Sequence, residues 1–184
     1  MIKIHTLGGY NEIGRNMTAV EVDGEIIVLD MGLHLEPYIK LQEHIPQKYL
    51  TKEKLLKAGV IPDDSNIEKN KVVAIIPSHA HLDHIGAVPF MEKDYNCPIL
   101  CTPFAKELLK TIAADQNIRL RNKIRVLDYS KHYKTKNTSI EFVHVTHSTI
   151  QTVIVAITTK YGTILYANDF KMDATPTLVE STDV

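Results

Sequence analysis

The chain has 184 residues, 44% hydrophobic and 23% charged, the size and composition of one globular unit with enough apolar side chains for a core. A formal net charge of −1 excludes a globally basic surface of the kind that coats nucleic acid, though not a local one. No apolar run approaches the roughly 20 residues of a membrane helix, so a cytoplasmic location and no membrane partner are expected, and the only cysteines, Cys97 and Cys101, fit neither a zinc ribbon nor a redox pair.

A strand at about residues 2 to 7 opens the chain and gives way to the loop Gly8 to Met17. Its glycines at 8, 9 and 14 allow turns or close approach to a ligand, and turns are the simpler reading. Thr18 to Val22 and Glu25 to Leu29 then read as strands joined at Asp23-Gly24, a strong hairpin signal. Asp30 closes the second strand; taken alone, an acid there is a turn former. Residues 33 to 70 read as an excursion from the sheet, interrupted by Pro37, Pro46 and Pro62, with one helix from Lys52 to Ala58 stopped by Gly59. His34 and His44 lie in this excursion with no second ligand type at metal spacing.

The β-branched run Val72 to Ile76 reads as a buried strand, and behind it Ile76-Pro77-Ser78-His79-Ala80-His81-Leu82-Asp83-His84-Ile85 places three imidazoles and a carboxylate within six positions. In extended backbone His79 and His81 would point to the same side and converge on one ion. Asp83 and His84 would begin a helix running to about Met91, with the acid favoured in its first turn. Facing away from the first pair, they allow one hexapeptide to serve two ions. Nitrogen and carboxylate donors without thiolate suit zinc first, then manganese or iron. A helix start that merely collects solvated histidines is the weaker reading of so dense a cluster.

Cys97 to Cys101 reads as a short strand, and Thr102-Pro103 as the capped start of a helix with Phe104, Leu108 and Ile112 on its core face. The stretch 119 to 136 is the most basic of the chain, with Arg119, Arg121, Lys123, Arg125, Lys131, Lys134 and Lys136 against Asp128. A solvated edge is its ordinary meaning, and phosphate binding the alternative. Ser139 to Val145 alternates as a strand ending in Thr146-His147-Ser148, with His144 on the opposite face from His147. A last hairpin, Thr152 to Thr158 and Thr163 to Ala167, leads into Asn168-Asp169. The fold class is α/β, with polar groups emerging where strands end.

Together Asp30, His79-x-His81-x-Asp83-His84, His147 and Asp169 resemble the first four motifs of the metallo-β-lactamase superfamily. Gly8-Gly9-x-x-Glu12-Ile13-Gly14-x-Asn16-Met17, Leu29-Asp30-Met31-Gly32, His147-Ser148 and Asp169-Phe170-Lys171-x-Asp173-x-x-Pro176 resemble its β-CASP nuclease branch, and within it the archaeal ribonuclease J family. The resemblance implies an αββα sandwich. It also implies that His79, His81 and His147 hold one zinc, Asp83 and His84 a second, and Asp169 bridges both, with manganese as the alternative metal. Asp30 would orient a ligand imidazole, Asp83 with His84 would carry the catalysis, and Ser148 would touch substrate.

The implied activity is hydrolysis of RNA, from the 5′ end and also internally, on single strands with a 5′-monophosphate, by a homodimeric enzyme. Against that family pattern, residues 1–184 are expected to be the N-terminal part of a metallo-β-lactamase domain, without the β-CASP insertion or the returning strands, and weak or inactive alone. A small ester or thioester hydrolase and an inactive metal-binding part are the competing expectations.

Overall fold

Alternating apolar runs build two stacked sheets in the computed structural model, which describes residues 1–173, 175–178 and 181–182. The first contains β1 (Ile2–Gly8), β2 (Met17–Val22), β3 (Glu25–Leu29), β4 (Val72–Ile76), β5 (Ile99–Cys101) and β6 (Ile124–Val126), in that spatial order. β1 to β3 form an antiparallel meander, and β3 to β6 run parallel. Asp23 (φ 47°) and Gly24 (φ 89°) make the β2–β3 turn left-handed at both positions, as a two-residue hairpin demands. The second sheet pairs β7 (Tyr133–Lys134), β8 (Thr138–Val145), β9 (Thr152–Thr159) and β10 (Gly162–Tyr166) in the antiparallel order β10-β9-β8-β7.

Successive side chains of a strand face opposite ways, and this divides the core in two. Val20, Ile27, Leu29, Ala74 and Ile76 meet Ile140, Phe142, Val153, Val155 and Ile157 between the sheets. Ala19, Ile26, Val28, Ile75 and Ile99 face a helical layer made of α1 (Leu35–His44), α2 (Lys52–Lys57), α3 (Leu82–Ile85), α4 (Val88–Met91) and α5 (Pro103–Asp115). The described residues therefore supply helix, sheet and sheet of the expected αββα sandwich. No membrane-length apolar helix occurs among them.

Several expectations need correction. Residues 35–44 form a helix despite Pro37, which lies in the first turn, where a backbone N–H has no intrahelical acceptor to lose. The helix expected from Asp83 to Met91 breaks in two at Gly86-Ala87, because Pro89 cannot donate to the Ile85 carbonyl. The core face of α5 is Ala105, Leu109, Ile112 and Ala113, while Phe104 is exposed. β6, which reads from its sequence only as a basic stretch, pairs with β5 along its whole length.

Candidate metal centre

The site forms where strand ends from both sheets meet. Asp30 follows β3 and Pro77 follows β4, and the two ends are tied by the Asp30 amide donating to the Ile76 carbonyl (3.0 Å). The second sheet is pinned alongside by the Val153 amide, which donates to Ser78 O (3.1 Å). An isolated bridge between Thr146 and Lys171 then draws the ends of β8 and β10 together, so His147 and Asp169 flank one opening. Gly32 is required for closeness: a Cβ there would collide with the Asp83 carbonyl. The segment 31–33 can thus strap itself to α3 through Met31 N to His84 O (2.8 Å) and Leu33 N to Leu82 O (2.9 Å).

Three imidazoles converge. His79 Nε2 lies 3.0 Å from His81 Nδ1, which lies 3.2 Å from His147 Nε2. These separations are near the ~3.3 Å expected between nitrogens bound 2.0–2.1 Å from one tetrahedral zinc. With one oxygen of Asp169 the four donor atoms lie within 4.8 Å of one another. His79 and His81 are brought together outside any strand: His79 lies in a bend and His81 is the extended residue before α3, and their rings stand nearly perpendicular. Burial, reinforced by the neighbouring imidazoles, pushes His79 down to about 3 and also lowers His147. Both are therefore neutral near pH 7, the state a metal ligand requires.

The remaining residues gather beside them. His84 Nε2 lies 3.5 Å from Asp83 Oδ2 and 3.6 Å from Asp169 Oδ2, and the same Asp169 oxygen lies 3.8 Å from His147 Nε2. Asp169 thus stands between the two groups. Behind His84, Nδ1 is 2.8 Å from Asp30 Oδ2. Asp30 is fully buried and also accepts from Ser78 N (2.6 Å), Ser78 Oγ (3.0 Å) and Tyr166 OH (2.8 Å). Burial opposes charge on both partners, but their mutual hydrogen bond and attraction outweigh it, lowering Asp30 and raising His84. Nδ1 of His84 is thereby fixed as the protonated nitrogen, which turns Nε2 toward Asp83 and Asp169. Ser148 Oγ is 3.3 Å from the outer nitrogen of His81, at the exposed rim.

All eight expected site residues therefore lie in one neighbourhood. Four further contributors carry no sequence signal of their own. Ser78 orients both Asp30 and, through Oγ, His79 Nδ1 (3.0 Å). Tyr166 and Asn168 close over Asp30 from the last hairpin. Asn16 donates to the Asp83 carbonyl (2.9 Å) and stands 3.0 Å from His84 Nε2, so an ion on that nitrogen requires the amide to turn aside. Asn16 is legible only as part of the glycine-loop motif.

The sequence profile described as Metallo-beta-lactamase superfamily matches residues 10–181. Ribonuclease J of Methanocaldococcus jannaschii is 44% identical over 99% of this chain, and ribonuclease J of Pyrococcus abyssi 43% over 94%. The chain spans only 41% and 39% of those relatives' lengths. Among solved structures, a protein of unknown function from Enterococcus faecalis superposes with a TM-score of 0.64 at 20% identity, covering 92% of this chain and 43% of that one. The metallo-beta-lactamase fold protein YhfI of Bacillus subtilis does so with a TM-score of 0.57 at 16% identity, covering 91% and 63%. At such identities the likeness is one of fold.

Proposed function

The chain belongs to the metallo-beta-lactamase superfamily, and from that premise we propose that it is the metal-dependent core of a ribonuclease of the ribonuclease J type, hydrolysing RNA phosphodiester bonds. The observation that carries this reading is the 44% identity to a ribonuclease J along 99% of the chain. Residues 1–184 are assigned to the N-terminal part of a metallo-β-lactamase domain. Processing from the 5′ end of single-stranded, 5′-monophosphorylated RNA, with internal cutting as a second mode, belongs to the same proposal. So do a cytoplasmic location and homodimerisation of the complete enzyme.

In this reading His79, His81 and His147 would hold one zinc and Asp83 and His84 a second, with Asp169 placed to serve both. The donor set of neutral imidazoles and carboxylates suits zinc, with manganese as the alternative. When bound there, such cations would supply Lewis acidity for acidifying water and for offsetting charge on a phosphodiester. The protein's own groups do the rest. Asp83 would hold the attacking water and take its proton, with His84 beside it as the nitrogen donor to the second ion. Asp30 fixes the tautomer of His84 through Nδ1, an outer partnership that preserves ligand geometry. Ser148, at the open rim, offers its hydroxyl to a substrate phosphate.

The test compares zinc- and manganese-loaded protein on single-stranded RNA bearing a 5′-monophosphate or a 5′-triphosphate. It is run with the 184-residue chain. Release of 5′ nucleotides, faster from the monophosphate and abolished by His81→Ala, is expected. Metal-dependent cleavage of esters or thioesters with RNA left intact would overturn the reading.

A further inference from the structure

Far from the histidine cluster, an open depression of about 640 Å3 is lined by Lys93, Ile118, Arg119, Leu120 and Arg121. Its position follows from topology. The histidines come after the carboxyl end of β4, whereas Lys93 precedes β5 and residues 118–121 precede β6, and all three strands are parallel. The depression therefore sits at the amino ends of these strands, at the other end of the first sheet.

The loop that forms it is anchored on both sides. At the end of α5, Asn117 (φ 53°) donates to Ala114 O (2.9 Å) and Ile118 to Ala113 O (2.8 Å), a double closure that fixes the exit direction. Beyond it the buried Glu92 carboxylate accepts the amides of Arg121 and Asn122 (both 2.9 Å), and the Asn122 side chain donates to the carbonyls of Glu92 and Tyr95. The Glu92 carboxylate is thus engaged by backbone amides and forms no ion pair with Arg119 or Arg121 among the described residues.

Lys93, Arg119 and Arg121 are exposed, and none forms an ion pair among the described residues. Lys93 acts on Glu53 only through its longer-range field. Some exposed lysines are paired, among them Lys40 with Glu36, Lys110 with Glu107 and Lys160 with Asp23, whereas these three unpaired cations share one depression. Three cations without an ion-pair partner around two half-buried aliphatic side chains, Ile118 and Leu120, fit a ligand that repeats an anionic group beside a flat apolar ring. A single-stranded polynucleotide has that chemistry at every unit.

We propose that this depression is a second binding surface for single-stranded RNA, with phosphates on Lys93, Arg119 and Arg121 and a base resting on Ile118 and Leu120. The identity of the ligand rests on the ribonuclease reading. A strand held here is gripped about 15 Å or more from the cleavage centre, from the five-residue length of β4 at about 3.3 Å per residue.

The experiment measures binding of a labelled 20-nucleotide single-stranded RNA to chelator-treated protein across a salt series, so that cleavage plays no part. Lys93→Ala/Arg119→Ala/Arg121→Ala should weaken binding at least about tenfold at low salt and flatten the log–log salt slope by about 2, from roughly 0.7 for each phosphate no longer neutralised. The control, Lys40→Ala/Lys110→Ala/Lys160→Ala, makes the same change in net charge and should leave the slope within about 0.5 of the parent. Adenosine monophosphate should compete only at far higher concentration than unlabelled RNA. An unchanged slope in the first variant, an equal loss in the control, equal competition by the mononucleotide, or no binding by the parent protein would each overturn the proposal. Because no metal is present, those outcomes leave the ribonuclease reading standing, and failure of metal-loaded protein to cut an RNA it binds would count against that reading alone.

Discussion

His84, in the short helix α3 that follows β4, and His147, just past the end of β8, turn ring nitrogens toward the same carboxylate of Asp169 but differ in what stands behind them. His84 is buried and braced through Nδ1 by Asp30, itself held by Ser78 and Tyr166. His79 has the Ser78 hydroxyl behind its ring. The Nδ1 of His147, by contrast, is buried without a hydrogen-bond partner among the described residues, and the Asp169 side chain beside it is 43% exposed. The first sheet, covered on both faces, supplies a preorganised half-site, whereas the second sheet supplies ligands whose orientation depends on an ion or on further protein.

The sharpest way to break this contrast is Asp30→Ala. It strands a buried imidazole and two hydroxyls, and should cost about 3–5 kcal/mol of unfolding free energy in urea titration, with loss of metal binding. A cost below about 1 kcal/mol would mean that the first half-site is no better braced than the second. Next in size, His147→Ala should lower zinc affinity by at least about 100-fold, beyond the usual effect of removing an outer partner, measured by competition with a zinc indicator. Its unfolding midpoint should barely move, because an unbraced side chain contributes little to the metal-free fold; destabilisation matching that of Asp30→Ala would erase the contrast.

Tyr166→Phe removes one of several donors to a buried carboxylate, so a loss of about 1.5 kcal/mol is expected from denaturant unfolding. Smallest of all, Ser148→Ala sits at the exposed rim. It should stay within about 0.5 kcal/mol of the parent in stability and change zinc affinity less than about threefold, so that any larger effect falls on RNA turnover.

The same contrast explains what is legible in the sequence. The hexapeptide His79 to His84 stands out because its donors are adjacent in the chain, and the Asp23-Gly24 hairpin because its turn chemistry is local. Asp30, His147 and Asp169 look like turn residues or strand ends until the family resemblance groups them. Their convergence rests on parallel pairing of β3 with β4 and on the Thr146–Lys171 bridge, neither of which leaves a local pattern. Ser78, Tyr166 and Asn168 are hidden because a hydroxyl or amide near a strand end is common. The helix at 35–44 is masked by Pro37, which reads as a breaker unless its place in the first turn is known, and the split after Ile85 by Pro89, which falls too late to begin a helix at Asp83.

That two sheets bring distant imidazoles and carboxylates around a common pair of cations is tested most directly by anomalous diffraction at the zinc edge, from crystals of the zinc-loaded protein. A peak about 2.1 Å from His79 Nε2, His81 Nδ1 and His147 Nε2, with a second beside His84 Nε2, Asp83 and Asp169, is the expected result. Zinc bound away from His147 and Asp169, with those side chains turned out of reach of His79 and His81, would contradict it.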